Sequence, residues 1–257
     1  MPTFDDICFL LYTHSDFEDM WQLNFDQLDA TFPHSSMKRV VAINRTNEIV
    51  AKQADYNIDT FITYNDTDTY AQKMVTILSQ INTPYVLFSH DNNIILHNDA
   101  TIFAKLFATF KAVNADRLVL EIEQSVHKSP VIQVSEQAGI QQTTDYYYYF
   151  NVQTGIWKTH VYLDIFRQFS TYTYRDIENP EVQQYVRTKY KVYRLANVTG
   201  IVRAVHFLFP HYFQFLHVTM RQQWVGFHIF QDLEHEWRRL FSAYKLDANK
   251  RGWRMQY

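Results

Sequence analysis

The chain has 257 residues, with 24 Lys and Arg against 27 Asp and Glu, and its formal charge of -3 gives no electrostatic case for nucleic acid or an acidic membrane. Hydrophobic residues make up 47% and aromatics 17%, enough for a sizeable core; 18 Tyr and 20 Phe carry the aromatic excess. A lone cysteine, Cys8, excludes an intrachain disulfide framework. Met1 to Asp6 lacks a signal-peptide pattern, and no run approaches the ~18 apolar residues of a membrane span. A soluble, cytoplasmic protein without a transmembrane segment is therefore expected.

In chain order, "ICFLLY" (Ile7 to Tyr12) is long enough for a buried strand and too short for a helix. Ser15 with Glu18 gives the S-x-x-E pattern of a capping box. Phe17, Trp21, Phe25, Leu28 and Phe32 follow at helical spacing, so Asp16 to Phe32 is expected to be helical, with Pro33 ending it. "RVVAIN" (Arg39 to Asn44) and "DTFITY" (Asp59 to Tyr64) read as the next two strands. Asp66 or Asp68 can cap a helix carrying Tyr70, Met74, Ile77, Leu78 and Ile81. "YVLFS" is a fourth strand, Ala100 to Val113 a helix, and "RLVLEIE" (Arg117 to Glu123) another strand. This alternation of continuous apolar strands with helices implies an α/β fold with a mainly parallel sheet covered on both faces. Beyond it, "DYYYYFNV" (Asp145 to Val152) reads as a strand, "THVYLDIFRQF" as a helix and "KYKVYRL" as a strand. Arg221 to Tyr244 reads as a long helix, and "NKRGWRMQY" as a basic tail. No repeat or Gly/Ser linker interrupts the chain, so one domain is expected over 1–257.

Ligands of open α/β sheets bind beyond the carboxyl ends of the strands. Here those ends carry Thr13, His14 and Ser15; Asn44 and Arg45; Tyr64, Asn65 and Asp66; and His90, Asp91, Asn92 and Asn93. Polar residues after a strand are either an ordinary solvated turn or a delivered site. At the fourth strand, Asp, Asn and His are ligand types suited to Mn²⁺ or Mg²⁺. The five glycines (Gly139, Gly155, Gly200, Gly226 and Gly252) are scattered, which removes both the P-loop and the GxGxxG fingerprint. Phosphates would be handled by a metal or by side chains.

"YVLFSHDNN", with a preceding helix that carries Tyr70 and Lys73, resembles the DxD region of GT-A-fold glycosyltransferases. "LLYTHSDFEDMW", "FNVQTGIWKTHVYLDIF", "YRDIEN" and "FQFLHVTMRQQWVGFHI" add to a resemblance to small glycosyltransferases of large DNA viruses and bacteria. The resemblance implies a GT-A-type, Rossmann-like sheet and metal-dependent transfer of a sugar from a nucleotide-diphosphate sugar to a glycan acceptor. It implies a nucleotide-sugar-binding half over about 1–125 and an acceptor-binding half over about 126–257. Asp91, Asn93 and His217 would hold the divalent cation, although Asp91-Asn92-Asn93 keeps one carboxylate where a strict DxD has two. Thr13, His14 and Asn44 or Arg45 would lie near base and ribose, with Tyr64, Lys73, His90 and Asn92 completing the donor site.

Inverting transfer needs a general base. The resemblance places it in "YTYRDIEN", as Asp176 or Glu178, the first preferred, before a helix start at Pro180. Arg175 is either a salt-bridge partner or a phosphate contact. His217 is either a ligand or a hydrogen-bonded core histidine; His206, His211, His228 and His235 lack zinc-protease spacing. The Tyr146 to Tyr149 run, with Trp157, either lines an acceptor groove or packs inward. A sugar nucleotidyltransferase is the alternative enzyme, and a catalytically inactive glycan- or partner-binding module the alternative outside enzymes.

Overall fold

The computed structural model describes residues 4–32, 36–45, 56–122, 129–143, 149–196, 201–204, 207–210, 213–220 and 222–255. The apolar run after the N-terminus forms β1 (Ile7–Tyr12). A 3-10 turn over Ser15–Met20 leads into α1 (Trp21–Thr31), so the expected single helix is two segments. The cap also differs from the expectation: His14, not Ser15, holds the N-cap, with Nδ1 accepting from the Asp16 N–H. The chain continues through β2 (Lys38–Ile43), β3 (Thr60–Thr63) and α2 (Tyr70–Leu78). Thr69, rather than Asp66 or Asp68, caps α2, in a reciprocal capping box with Gln72. Next come β4 (Tyr85–His90), β5 (Asn93–Asn98), α3 (Ala100–Ala112) and β6 (Arg117–Ile122).

The second half contains β7 (Val131–Gln133), β8 (Gly139–Gln142), β9 (Gly155–Lys158), α4 (Thr159–Gln168) and α5 (Pro180–Lys189). Tyr149 to Val152 are irregular rather than a strand, and residues 144–148, including Tyr146 to Tyr148, lie outside the described residues. Then follow β10 (Val192–Ala196), β11 (Ile201–Ala204), β12 (Phe207–Pro210), β13 (Phe213–His217), β14 (Thr219–Met220) and β15 (Gln223–Val225). The expected long helix over 221–244 is therefore a strand, a 3-10 segment and only then α6 (Glu234–Ala243). Gln231, at φ 48° and ψ −109°, breaks the helical path. The basic tail is folded as well, into α7 (Ala248–Arg251) and β16 (Trp253–Arg254), joined at Gly252 with φ 64°. Pro33, His206 and His211 lie outside the described residues.

The central sheet runs β3-β2-β1-β4-β9-β6-β10-β8-β7, with β12 paired to β6 and β11 to β12. Strands β3, β2, β1 and β4 are mutually parallel, as are β6 and β10, while β9 runs antiparallel between β4 and β6. Gly155 opens β9 where a Cβ would stand 3.1 Å from the Leu118 carbonyl, so the close passage beside β6 favours glycine. The expected Rossmann-like α/β sheet with helices on both faces is present.

Alternation along the strands divides two cores. Ile7, Phe9 and Leu11 of β1 face a cluster with α1 and α3; Cys8 and Leu10 face one with α2, α4 and α5. Burial on both faces is why these strands read as unbroken apolar runs. Two small sheets flank the main one: β5 pairs with β13, and β14-β15-β16 gather the C-terminal chain. Arg251 ties that chain to the 3-10 turn, paired with Asp19 at 2.5 Å and with its guanidinium 4.2 Å from the Phe17 ring centroid. No helix among the described residues is long and apolar enough to cross a membrane.

Candidate active site

Parallel pairing of β1 with β4 sets Tyr12 opposite His90, so both chains leave the sheet side by side. The Asp91 N–H donates to the Tyr12 carbonyl (3.1 Å), and the Thr13 hydroxyl donates to Asp91 Oδ2 (2.6 Å). The Trp21 indole donates in turn to Thr13 Oγ1 (2.9 Å), and Asn24 Nδ2 to the Asp91 carbonyl (2.7 Å). Thr13 is thus a buried support for the acid and not a surface contact. Burial pushes the Asp91 carboxyl up to about 7, against the pull of the Thr13 hydroxyl, nearby backbone amides and the charge of Arg251.

The pairing of β5 with β13 brings His217 opposite Asn93. His217 Nδ1 lies 2.9 Å from Asn93 Oδ1, where an Nδ1–H donates and leaves Nε2 with its lone pair. Burial pushes this imidazole down to about 4, so it is neutral at pH 7. Its Nε2 stands 3.3 Å from Asn92 Nδ2, and the buried Asn92 Oδ1 has no hydrogen-bond partner. Among the described residues, no group of three His, Cys, Asp or Glu is placed to hold a metal ion. The set that remains is Asp91, Asn92 Oδ1 and His217 Nε2. One carboxylate, one orphaned amide oxygen and one neutral imidazole suit Mn²⁺ or Mg²⁺. Asn93, whose oxygen is engaged by His217, orients the imidazole and is not among the residues lining the cavity.

These strand ends open on a cavity of about 1120 Å³. Tyr12, His14, Phe17 and Asp68 line it from one side, Thr173, Tyr174 and Arg175 from the loop before α5, and His217, Thr219 and Met220 from the C-terminal chain. His90 lines it inside an aromatic cage, its ring 5.2 Å from Tyr12 and 5.7 Å from Tyr174, with Nε2 3.2 Å from the Tyr70 hydroxyl. Burial pushes its imidazole down to about 3, so it too is neutral.

The remaining donor-site candidates divide. His14 lines the cavity and is held from behind: its Nε2 is 2.9 Å from Asn44 Nδ2 and 3.3 Å from Asp66 Oδ1. Asn44 is a scaffold, accepting from the Ser15 N–H and donating to Asp66 (both 2.9 Å), and Arg45 is exposed and not a lining residue. Tyr64 is buried under Tyr12, rings stacked at 5.1 Å, with its hydroxyl donating to the Thr13 carbonyl (2.7 Å). Lys73 lines the cavity, with Nζ 5.1 Å from the Tyr64 ring centroid.

The two base candidates both make structural bonds. Asp176 is exposed, and its Oδ2 accepts from the Thr173 hydroxyl (2.5 Å) and N–H (3.3 Å). Glu178 turns Oε1 inward to accept from the Val152 N–H (2.7 Å). Neither lines the cavity; their neighbours Tyr174 and Arg175 do. Trp157 is fully buried and stacked on Tyr162 at 4.6 Å, and Tyr149 is buried with its hydroxyl donating to the Thr143 carbonyl (2.8 Å), so both are core.

Sequence reasoning did not single out Tyr12, Phe17, Asp68 or Tyr174 as lining residues. Position at the end of β1 could have flagged Tyr12; nothing local distinguishes the others.

No family model and no curated protein matches this chain. Among solved structures it is similar to S. aureus TarS at 15% identity and a TM-score of 0.48, over 79% of this chain and 36% of that one. It is also similar to TarS 1-349 in complex with UDP-GlcNAc, at 14% and 0.48, over 79% and 58% of the two chains. A cytidylyltransferase from Leptospira borgpetersenii is similar at 10% and 0.46, over 75% and 76%. The chain spans between 36% and 60% of the TarS chains that it matches. At such identities the likeness is one of fold alone.

Proposed function

We propose that this chain is a glycosyltransferase that moves a sugar from a nucleotide-diphosphate sugar to a glycan hydroxyl. The observation that carries the reading is the buried Asp91 at the joined ends of β1 and β4, facing a cavity of about 1120 Å³ beside an orphaned Asn92 oxygen and a neutral His217. That space exceeds the usual ligand pocket of ~300–1,000 Å³, and so accommodates a donor together with part of an acceptor. In this reading 1–257 is one domain, with about 1–125 serving the donor and about 126–257 the acceptor.

A divalent cation held by Asp91, Asn92 and His217 would supply charge neutralisation for the departing diphosphate. The chain's own residues do the rest. Asp91 contributes the negative charge, and Thr13 and Asn24 fix its orientation. Asn93 keeps the proton on His217 Nδ1, and the Nε2 lone pair, which accepts from Asn92 Nδ2 at 3.3 Å, would exchange that donor for the cation. His14 and Tyr12 flank the nucleoside. Calorimetry with UDP- and GDP-sugars, with and without Mn²⁺, tests the reading. Cation-enhanced binding of at least one donor is expected, and failure of every donor to bind would end it.

For the base that takes the acceptor proton in an inverting transfer we propose Asp176, and next Glu178; either would exchange its local bond and turn to the cavity beside Tyr174 and Arg175. Asp176→Asn is expected to lower kcat by about 10²- to 10⁴-fold with donor affinity unchanged. Glu178→Gln keeps an acceptor for the Val152 N–H and should retain activity. Wild-type turnover in both variants would remove both as bases. A second reading, a catalytically inactive glycan-binding module, draws on the engagement of both acids in local bonds; measurable sugar transfer or donor hydrolysis excludes it.

A further inference from the structure

Two cations line the cavity without a carboxylate partner. Lys73 and Arg175 form no ion pair with any described carboxylate, and Lys73 rests its ammonium against the Tyr64 ring. Elsewhere, Arg39, Lys111, Lys158 and Arg251 are each paired with an aspartate. Lys73 does act at longer range on Asp66, helping to hold that carboxyl below its ordinary range after the Asn44 hydrogen bond.

The elements that carry the two cations are also joined. The Thr69 hydroxyl donates to the Ser170 carbonyl (2.7 Å), and the Ala71 N–H to the Tyr172 carbonyl (3.2 Å), latching the start of α2 to the loop that carries Arg175. Tyr174 seals the same seam, edge-on to Tyr70 at 5.1 Å. A preorganised pair costs little further entropy when an anion arrives. The strand end, meanwhile, offers a cation one carboxylate instead of two. A site with a single carboxylate holds a cation weakly, so charge borne by the protein itself would keep a diphosphate bound when that cation is absent.

We infer that Lys73 and Arg175 form a protein-borne cation pair that grips the diphosphate of the nucleotide, so that nucleoside-diphosphate affinity survives removal of the divalent cation. The inference rests on the nucleotide-sugar reading and adds a division of labour. The lysine and the arginine supply the cation-independent part of nucleotide binding, and a metal at Asp91 would add its own increment and serve turnover. Asp68, on the same cavity, opposes them and limits how tightly anions bind without a metal.

The test is titration of the full chain with UDP and with uridine, in EDTA and in Mn²⁺, at low and high salt. UDP is expected to bind in EDTA and to weaken with salt, while uridine shows no salt effect. Lys73→Gln and Arg175→Gln should each weaken UDP binding in EDTA by about tenfold, the scale of one charge-assisted hydrogen bond. Lys73→Arg and Arg175→Lys should recover most of it, which a general folding defect would not allow. Binding of UDP by the wild type in Mn²⁺ only, or unchanged affinity in both Gln variants, overturns the inference and leaves the nucleotide-sugar reading standing. Absence of binding under every condition overturns both.

Discussion

Asp91→Asn is expected to abolish the Mn²⁺-dependent part of donor binding and to cut sugar transfer by about 10²- to 10³-fold, the scale for loss of one preorganised electrostatic group. The asparagine keeps an oxygen to accept the Thr13 hydroxyl, so Trp21 and Asn24 retain their partners. Circular dichroism and thermal unfolding should therefore match the wild type. What the variant removes is a buried carboxylate whose described surroundings include only the distant charge of Arg251. Donor titration in Mn²⁺ and in EDTA separates the two contributions: the wild type should show a cation increment and the variant none. Retention of that increment would displace the metal from Asp91.

The second large effect is on stability. Arg117 is fully buried, with its guanidinium 4.5 Å from the Trp157 ring centroid, Nη1 donating to the Tyr149 carbonyl (2.9 Å) and Nη2 to the Asn151 carbonyl (3.2 Å). Gln183 binds the backbone of Phe150, and Glu178 that of Val152. Side chains therefore stand in for a ladder along an irregular stretch that delivers Gln153 to the cavity. Arg117→Met should cost about 3–5 kcal/mol, because it orphans these carbonyls and leaves the buried Glu121 without its largest offsetting charge. Chemical denaturation should show the loss as a lower midpoint. Adding Glu121→Gln to Arg117→Met should recover part of it, and strictly additive losses would show that the two groups are not coupled.

The fold was most legible where burial acts on both faces of a strand. "ICFLLY", "RVVAIN" and "YVLFS" could be placed, within a residue at their ends, because largely apolar runs of that length have few other homes. Strand β5 was missed because its "IIL" follows directly on the polar turn that drew attention to the site, and it pairs only with β13, more than a hundred residues away. The C-terminal error has a different cause. Trp224, Phe227, Phe230, Leu233, Trp237 and Leu240 keep a helical spacing, but Gly226 and the φ 48° of Gln231 divide them between a strand, a 3-10 segment and a helix. Propensity gave way to tertiary packing, with Trp224 and Trp237 both fully buried.

The site was legible in its anchor and not in its walls. Asp91 follows from the rule that ligands gather at the ends of parallel strands. That Asn93 steers His217 while Asn92 presents the free oxygen depends on which side of a two-residue turn each amide takes, and identical residue types hide that choice. Asp176 and Glu178 were read as candidate bases from residue type, yet an acid just before a helix is also what a loop uses to satisfy its own backbone, as both do.

The pairing of His217 with Asn93 has a bearing on how the molecule assembles. Thr13 and Asp91 are 78 positions apart, and Asn93 and His217 are 124 apart. Loop-closure entropy makes the shorter connection the easier first step, and chains dominated by such remote pairings fold slowly. On a growing polypeptide, β1 and β4 can pair and seat the acid while the imidazole is still unsynthesised. The pair of Asn93 with His217 then becomes a marker that β13 has docked on β5.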